Sequence, residues 1–107
     1  MKQQIHSQDD SMEKLFATYE VKFKAIADKK RLQIMNILSQ KSEICVGDLA
    51  ELLDITQSKL SYHLKILLDA NIITKDSKGT WCYYQLNLEE LNHLLSHELF
   101  YLFKPTS

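Results

Sequence analysis

The sequence predicts a mainly α-helical α+β fold in which four helices, one small β-hairpin and a last helix follow in the order ααααββα. Three observations predict it. With 2 Gly and 1 Pro in 107 residues, the chain has few of the residues on which turn-rich all-β folds depend. Apolar residues recur at helical spacing over most of the chain, whereas one stretch near its end alternates with a period of two. The length fits a single small domain.

Residues 1–10 are predicted to be a flexible tail, and residues 11–107 to form one domain. An apolar stripe at helical spacing from Met12 to Ile26 predicts helix 1, and a second stripe from Leu32 to Leu38 predicts helix 2. The predicted N-cap residues of the first, second, fourth and fifth helices are Ser11, Asp28, Thr56 and Asn87.

Helices 3 and 4 have the spacing of a helix-turn-helix. A short apolar helix over about 46–53 is followed by a break and then by a longer helix over about 56–70. Counted from Val46, the small Ala50 is the fifth residue, where two helices cross closely, and Leu60 is the fifteenth, the buried anchor of the second helix. Asp54 is the ninth, at the turn that favours a positive φ, which Asp tolerates better than most residues.

A β-hairpin follows at about 72–86, with a turn at Ser77–Gly79 in which Gly79 supplies a positive φ. A helix-turn-helix followed by a hairpin is a winged helix. The last helix is predicted over about 87–103 with one stripe of leucines. Because residues 99–103 are apolar on every side, a partner subunit is expected to cover that end.

The fourth helix is expected to place its amino end in the major groove of double-stranded DNA, because its outward face is polar while its leucines face inward. His63 lies at the edge of the inward face and is interpreted as a packed or hydrogen-bonded structural residue. The predicted DNA contacts on the helix are Gln57, Ser58, Lys59, Ser61, Tyr62 and Lys65, and those at the hairpin tip are Lys78 and Thr80.

Charge is distributed unevenly along the chain. The net charge is −1, yet residues 22–78 carry ten cationic and seven anionic side chains. A basic centre between acidic flanks can present a local positive face to phosphates. Two other interpretations stay open: these are ordinary solvated charges, or the winged helix is a protein-interaction adaptor without DNA affinity.

Composition excludes several classes of protein. With 45% hydrophobic and 25% charged residues, the chain is expected to fold. No apolar run is long enough for a membrane span or a secretion signal, so no membrane partner is expected. The two cysteines lack CxxC spacing, which fits a reducing cytoplasm. We find no nucleophile with a base partner, no Gly-rich phosphate loop and no paired catalytic carboxylates, so an enzyme is not predicted.

Several segments resemble the ArsR/SmtB family of bacterial winged-helix repressors. The resembling segments are 23–28, 31–34, 43–50, 58–67 and 79–86, and the most specific is the Ser-x-x-Ser-x-His-Leu pattern from Ser58 to Leu64. The resemblance implies a cytoplasmic homodimer that sits on a palindromic operator until an effector releases it. Lys29 stands where the family usually has Pro.

The dimer is expected to join through helix 1 and the last helix, as the resemblance and the apolar stripes both indicate. The residues predicted at this interface are Leu15, Tyr19, Leu95, Leu99, Leu102 and Phe103.

The sensing chemistry is less defined. Arsenite-responsive members that resemble this chain carry Cys-Val-Cys where it has Cys45-Val46-Gly47, and trivalent arsenic needs three thiolates. The other thiol, Cys82, is expected on a different element as a half-buried filler. The zinc and nickel positions of other members correspond here to Leu88, Glu90, Tyr101 and Lys104, three of which cannot serve as ligands.

No cofactor or metal is therefore predicted, and the effector is not identified. Two alternatives remain for a metal, metalloid or thiol-redox sensor. One uses Cys45, and the other uses the group Glu90, His93 and His97, which lies at i, i+3 and i+7 on the helix side away from the leucines.

Overall fold

The computed structural model describes residues 2–41 and 43–95, and for residues 2–9 it describes the backbone only. Within this part of the chain, five helices and three strands form a winged helix, so the predicted fold class is confirmed. The elements are α1 (Lys2–Ile26), α2 (Lys29–Gln40), β1 (Ile44–Cys45), α3 (Val46–Leu53), α4 (Gln57–Asp69), β2 (Ile73–Lys78), β3 (Trp81–Leu86) and α5 (Leu88–Leu94).

Side-chain caps begin three of the helices, as predicted. The Asp28 carboxylate accepts a hydrogen bond from the Arg31 backbone N–H at 3.1 Å and starts α2. The Thr56 hydroxyl does the same for α4, and the Asn87 side-chain oxygen for α5. These bonds satisfy backbone donors that lack a partner in the first turn of a helix.

The predicted start of helix 1 is wrong. The helix α1 begins at Lys2 rather than after a cap at Ser11, so residues 2–10 are helical and not a tail. This segment contains no Gly or Pro to stop a helix, and its residues are mostly polar, so it carries no apolar stripe. Periodicity therefore could not reveal it.

The hairpin belongs to a three-stranded antiparallel sheet of order β1-β3-β2. Gly79 makes the turn between β2 and β3 with φ of 63°. The sequence did not predict β1, in which Ile44 pairs with Tyr84 and Cys45 with Tyr83. Two residues are too few to show an alternating pattern.

The core is built from residues of all five helices and of the sheet. Ala50 and Leu60 are buried where the helix-turn-helix spacing predicts, with Leu60 completely inaccessible. Asp54 ends α3 in the left-handed conformation at φ 54° and ψ 50°, as the turn position requires. The largest fully buried side chains are Ile34, Leu49, Leu60, Leu64, Leu67, Ile72, Ile73 and Leu94.

Candidate nucleic-acid interface

The helix α4 has one buried apolar side and one exposed polar side, as the sequence predicts. Leu60, Leu64 and Leu67 are buried against the core. On the opposite side Tyr62 is 63% exposed, which leaves a large aromatic ring with a hydroxyl facing solvent. The other exposed candidates on this helix are Gln57, Ser58, Lys59, Ser61 and Lys65. Together they form a continuous polar surface, which we call the α4 face.

The ammonium group of Lys65 is 3.2 Å from the Asp69 carboxylate one turn further along α4. Both side chains are mostly exposed, so solvent screens this i,i+4 pair and its contribution to stability is small. Lys65 can therefore exchange this carboxylate for a phosphate at little cost.

At the hairpin tip, Thr80 is exposed in the turn, and Lys78 pairs with a residue that the sequence did not single out. The Lys78 ammonium lies 3.0 Å from the Glu43 carboxylate and over the Tyr83 ring, 5.5 Å from its centroid. The hydrogen bond to Glu43 raises the pKa of Lys78. Glu43 was missed because it immediately precedes β1, the strand that the sequence did not predict.

His63 connects α4 to the helices behind it, in agreement with the structural interpretation of this residue. Its Nδ1 lies 3.0 Å from Nη1 of Arg31. Because a guanidinium only donates, this hydrogen bond requires Nδ1 to accept, which the neutral tautomer with its proton on Nε2 allows. Arg31 also donates from Nε to the Ala25 carbonyl at 2.6 Å, near the end of α1.

The electrostatics around His63 agree with a neutral ring. Burial lowers the pKa of His63, and the nearby Arg31, Lys30 and Lys59 lower it further, although Asp28 at 4.0 Å acts in the opposite direction. The pKa of Asp28 is lowered chiefly by the hydrogen bond from the Arg31 backbone N–H. The folded state thus favours a neutral His63 and an ionised Asp28.

This arrangement predicts a loss of stability in mild acid. Since the pKa of His63 is lower in the folded than in the unfolded state, its contribution is complete above the ordinary value of 6.5 and is lost as the pH falls through the folded pKa. A single such group adds a slope of at most about 1.4 kcal/mol per pH unit. Urea unfolding at several pH values below 7 should therefore show a shallower pH dependence for His63→Gln than for the parent. Parallel curves would contradict the assignment.

A second link joins three helices through Lys22. Its ammonium is 2.6 Å from the Glu90 carboxylate of α5 and donates to the Ala70 carbonyl at 2.8 Å, where α4 ends. The Lys22 side chain is 11% exposed and that of Glu90 26%. The sequence assigned no role to Lys22, because a lysine on a helix shows no apolar periodicity.

One of the three residues of the predicted metal-binding alternative is engaged in this ion pair. Glu90 holds Lys22, and His97 lies outside the described residues. Within the described part, no three His, Cys, Asp or Glu side chains gather closely enough to hold a metal ion.

The two thiols are closer in the fold than the sequence indicated. Cys45 on β1 lies opposite Tyr83, the chain neighbour of Cys82 on β3. Because side chains alternate along a strand, the two thiols point to opposite faces of the sheet. Both are half-buried and free, and the Cys82 sulfur lies 3.9 Å from the Ser77 hydroxyl.

A membrane span is not found either. Among the residues that the structure describes, no helix combines the length and the apolar character needed to cross a bilayer.

Comparison with known proteins decides the family. The family model described as bacterial regulatory protein, arsR family, matches residues 28–75. The arsenical resistance operon repressor of Bacillus subtilis (strain 168) is 60% identical over 96 residues, which cover 90% of this chain and 91% of that protein. The chain belongs to the ArsR family.

Two solved structures share the fold. HlyU from Vibrio cholerae N16961 is 33% identical with a TM-score of 0.62, and the match covers 79% of this chain and 98% of that one. The domain Mb0332 from Mycobacterium bovis, described as a homodimeric winged helix-turn-helix DNA-binding domain, matches in fold with a TM-score of 0.69 at 23% identity, over 92% and 95% of the two chains.

Membership in the ArsR family confirms the predicted class of function. The chain is a DNA-binding transcriptional repressor and not an enzyme. The resemblance that rests on the helix-turn-helix and hairpin segments is therefore correct.

Proposed function

We propose that this ArsR-family repressor is cytoplasmic, that it binds a palindromic operator as a homodimer, and that an effector releases it. One observation carries the proposal: the α4 face is polar and exposed along a helix whose opposite side is the centre of the core. A helix supported in this way can enter a major groove without disturbing its own packing.

The residues of the α4 face divide by chemistry. Amide and hydroxyl groups suit the hydrogen-bonding edges of bases, so we assign base contacts to Gln57, Ser58, Ser61 and Tyr62. Lys59 and Lys65 are exposed cations, so we assign them contacts with phosphates beside the groove. Lys78 and Thr80 at the hairpin tip suit the adjacent backbone or minor groove, and Lys78 must leave Glu43 to reach it.

The homodimer is supported by exposed apolar side chains on α1 and at the end of α5. Phe16 of α1 is 48% exposed and Leu95, the C-cap of α5, is 66% exposed, while Leu15 and Tyr19 of α1 are half-buried. Exposed apolar side chains of this size suit contact with a partner subunit. The other predicted interface residues, Leu99, Leu102 and Phe103, lie outside the described residues.

A DNA-binding titration tests the proposal. The parent protein should bind a labelled fragment from upstream of its own gene more tightly than an unrelated fragment of equal length, with affinity falling steeply as salt rises. A protein-interaction adaptor would bind neither fragment.

Sedimentation in the same buffer should give a dimer, and a truncation after about Glu90 should give a monomer or an insoluble product. A soluble dimeric truncation would contradict the proposed interface.

A second candidate, a metalloid-responsive repressor, is favoured by the name of the 60%-identical relative, the arsenical resistance operon repressor. The thiols of this chain offer limited support, since one subunit contributes two and they point to opposite faces of the sheet. Capture of one arsenic by three thiolates would need thiols from a second subunit, and the hairpin would have to rearrange for Cys45 and Cys82 of one subunit to bind the same atom.

Arsenite titration separates the two candidates. From the thiol count we expect arsenite to change the affinity for the operator fragment little, as followed by fluorescence anisotropy. Cys45→Ser and Cys82→Ser should fold, dimerise and bind this DNA like the parent. Release of the parent at micromolar arsenite, abolished in Cys45→Ser, would establish the metalloid sensor instead.

A further inference from the structure

A recess of about 500 Å³ opens between the start of α2 and the side of α4. It adjoins the α4 face, because Lys59 belongs to that face and also lines the recess. The two helices both contribute cationic side chains to it. Its lining residues are Asp28, Lys29, Lys30, Gln33, Ile55, Lys59 and His63.

The recess is electropositive. Three lysines line it, Lys29, Lys30 and Lys59, together with one acidic residue, Asp28, whose carboxylate already accepts the Arg31 N–H. None of the three lysines forms an ion pair with any residue that the structure describes. The neutral state of His63 agrees with this surplus of positive charge, since Lys30 and Lys59 both disfavour its protonation. The recess thus has unneutralised cations and a concave shape.

Its position relative to the α4 face indicates what it binds. If α4 lies in a major groove, the backbone that borders the groove runs along the sides of the helix. Lys59 stands at that border, and Lys29 and Lys30 continue the row of cations onto α2. A phosphate anion of the DNA backbone fits both the charge and the location.

Lys29 can lose its charge without disturbing the start of α2. It occupies the first helical position, directly after the cap Asp28, and its side chain is exposed. Pro suits that position structurally, since its missing N–H would have no helical partner there. Substitution of Lys29 by Pro therefore removes the charge and keeps the helix start.

We propose that Lys29 and Lys30 bind a backbone phosphate of the operator, together with Lys59, and so extend the DNA interface beyond the helix-turn-helix and the hairpin onto α2. The inference rests on the proposed function, in which α4 enters the major groove of the operator. A phosphate contact carries no base information, so it strengthens binding to every sequence alike.

The test is the salt dependence of DNA affinity, measured by anisotropy on the full chain. For Lys29→Gln/Lys30→Gln, affinity should fall by a similar factor on the upstream fragment and on unrelated DNA. The slope of log affinity against log salt should decrease by about 0.9 for each phosphate that the variant no longer neutralises. Lys41→Gln is the matched control, because Lys41 is an exposed lysine at the opposite end of α2, and its slope should equal that of the parent.

Lys29→Pro separates DNA binding from folding. It should leave the thermal midpoint unchanged or raised, because Pro is favourable at this position, and it should still reduce the salt slope. Slopes equal to the parent's in both the double variant and Lys29→Pro would overturn the phosphate contact while leaving the proposed function intact. No binding of the parent to either DNA would instead overturn the proposed function.

Discussion

Lys22→Ala is expected to lower the free energy of unfolding by about 1–3 kcal/mol, because it leaves partly buried polar groups without their partner. The substitution would leave the Glu90 carboxylate partly buried without its cation at 2.6 Å, and the Ala70 carbonyl without the donor at 2.8 Å. Because Lys22 joins α1, α4 and α5, its removal weakens the packing of three helices. Urea denaturation followed by circular dichroism measures the effect.

Two variants make this result interpretable. Lys24→Ala removes an exposed lysine of the same helix, whose pair with Glu20 at 3.4 Å is screened by solvent, and should cost less than about 1 kcal/mol. Lys22→Met/Glu90→Leu removes both charges and should recover most of the stability that Lys22→Ala forfeits, because no unpaired charge remains. Equal costs for Lys22→Ala and Lys24→Ala would show that the buried pair does not stabilise the fold.

Leu60→Ala is expected to destabilise the protein by about 2–5 kcal/mol. Leu60 is completely buried in the core, and its truncation leaves a cavity among side chains that can collapse only partly. Since Leu60 anchors α4, the substitution also tests which side of α4 faces the core.

Ser61→Ala is the control on the next residue, which lies on the exposed α4 face. It should change the unfolding free energy by less than about 0.5 kcal/mol. If Ser61→Ala were as destabilising as Leu60→Ala, the helix would be rotated relative to the structure, and the proposed base contacts would be wrong. Thermal or urea unfolding of both variants decides between the two orientations.

The sequence predicts the fold where local patterns are strong. The apolar spacing that buries Leu60 and Ala50, the left-handed turn at Asp54 and the caps Asp28 and Thr56 each follow from the stereochemistry of a few neighbouring residues. These features also determine which side of α4 is exposed, so the candidate DNA contacts on that side can be predicted from the sequence alone.

The remainder of the site depends on contacts between residues far apart in the chain. Glu43 meets Lys78 across the sheet, Arg31 reaches His63 from α2, and Lys22 reaches Glu90 from α1. The spacing of polar residues along the chain does not predict such partners. The short strand β1 and the polar start of α1 were missed for the same reason, since neither carries an apolar pattern of sufficient length.

The most direct test measures the affinity of two α4 variants for the upstream operator fragment and for unrelated DNA. Replacing base-contacting residues, in Ser58→Ala/Tyr62→Ala, should weaken binding to the upstream fragment by about 1–3 kcal/mol per contact while changing binding to unrelated DNA little. Lys59→Gln should weaken both to the same extent and lower the salt slope. An equal weakening on both DNAs for Ser58→Ala/Tyr62→Ala would contradict the claim that the α4 face reads the operator.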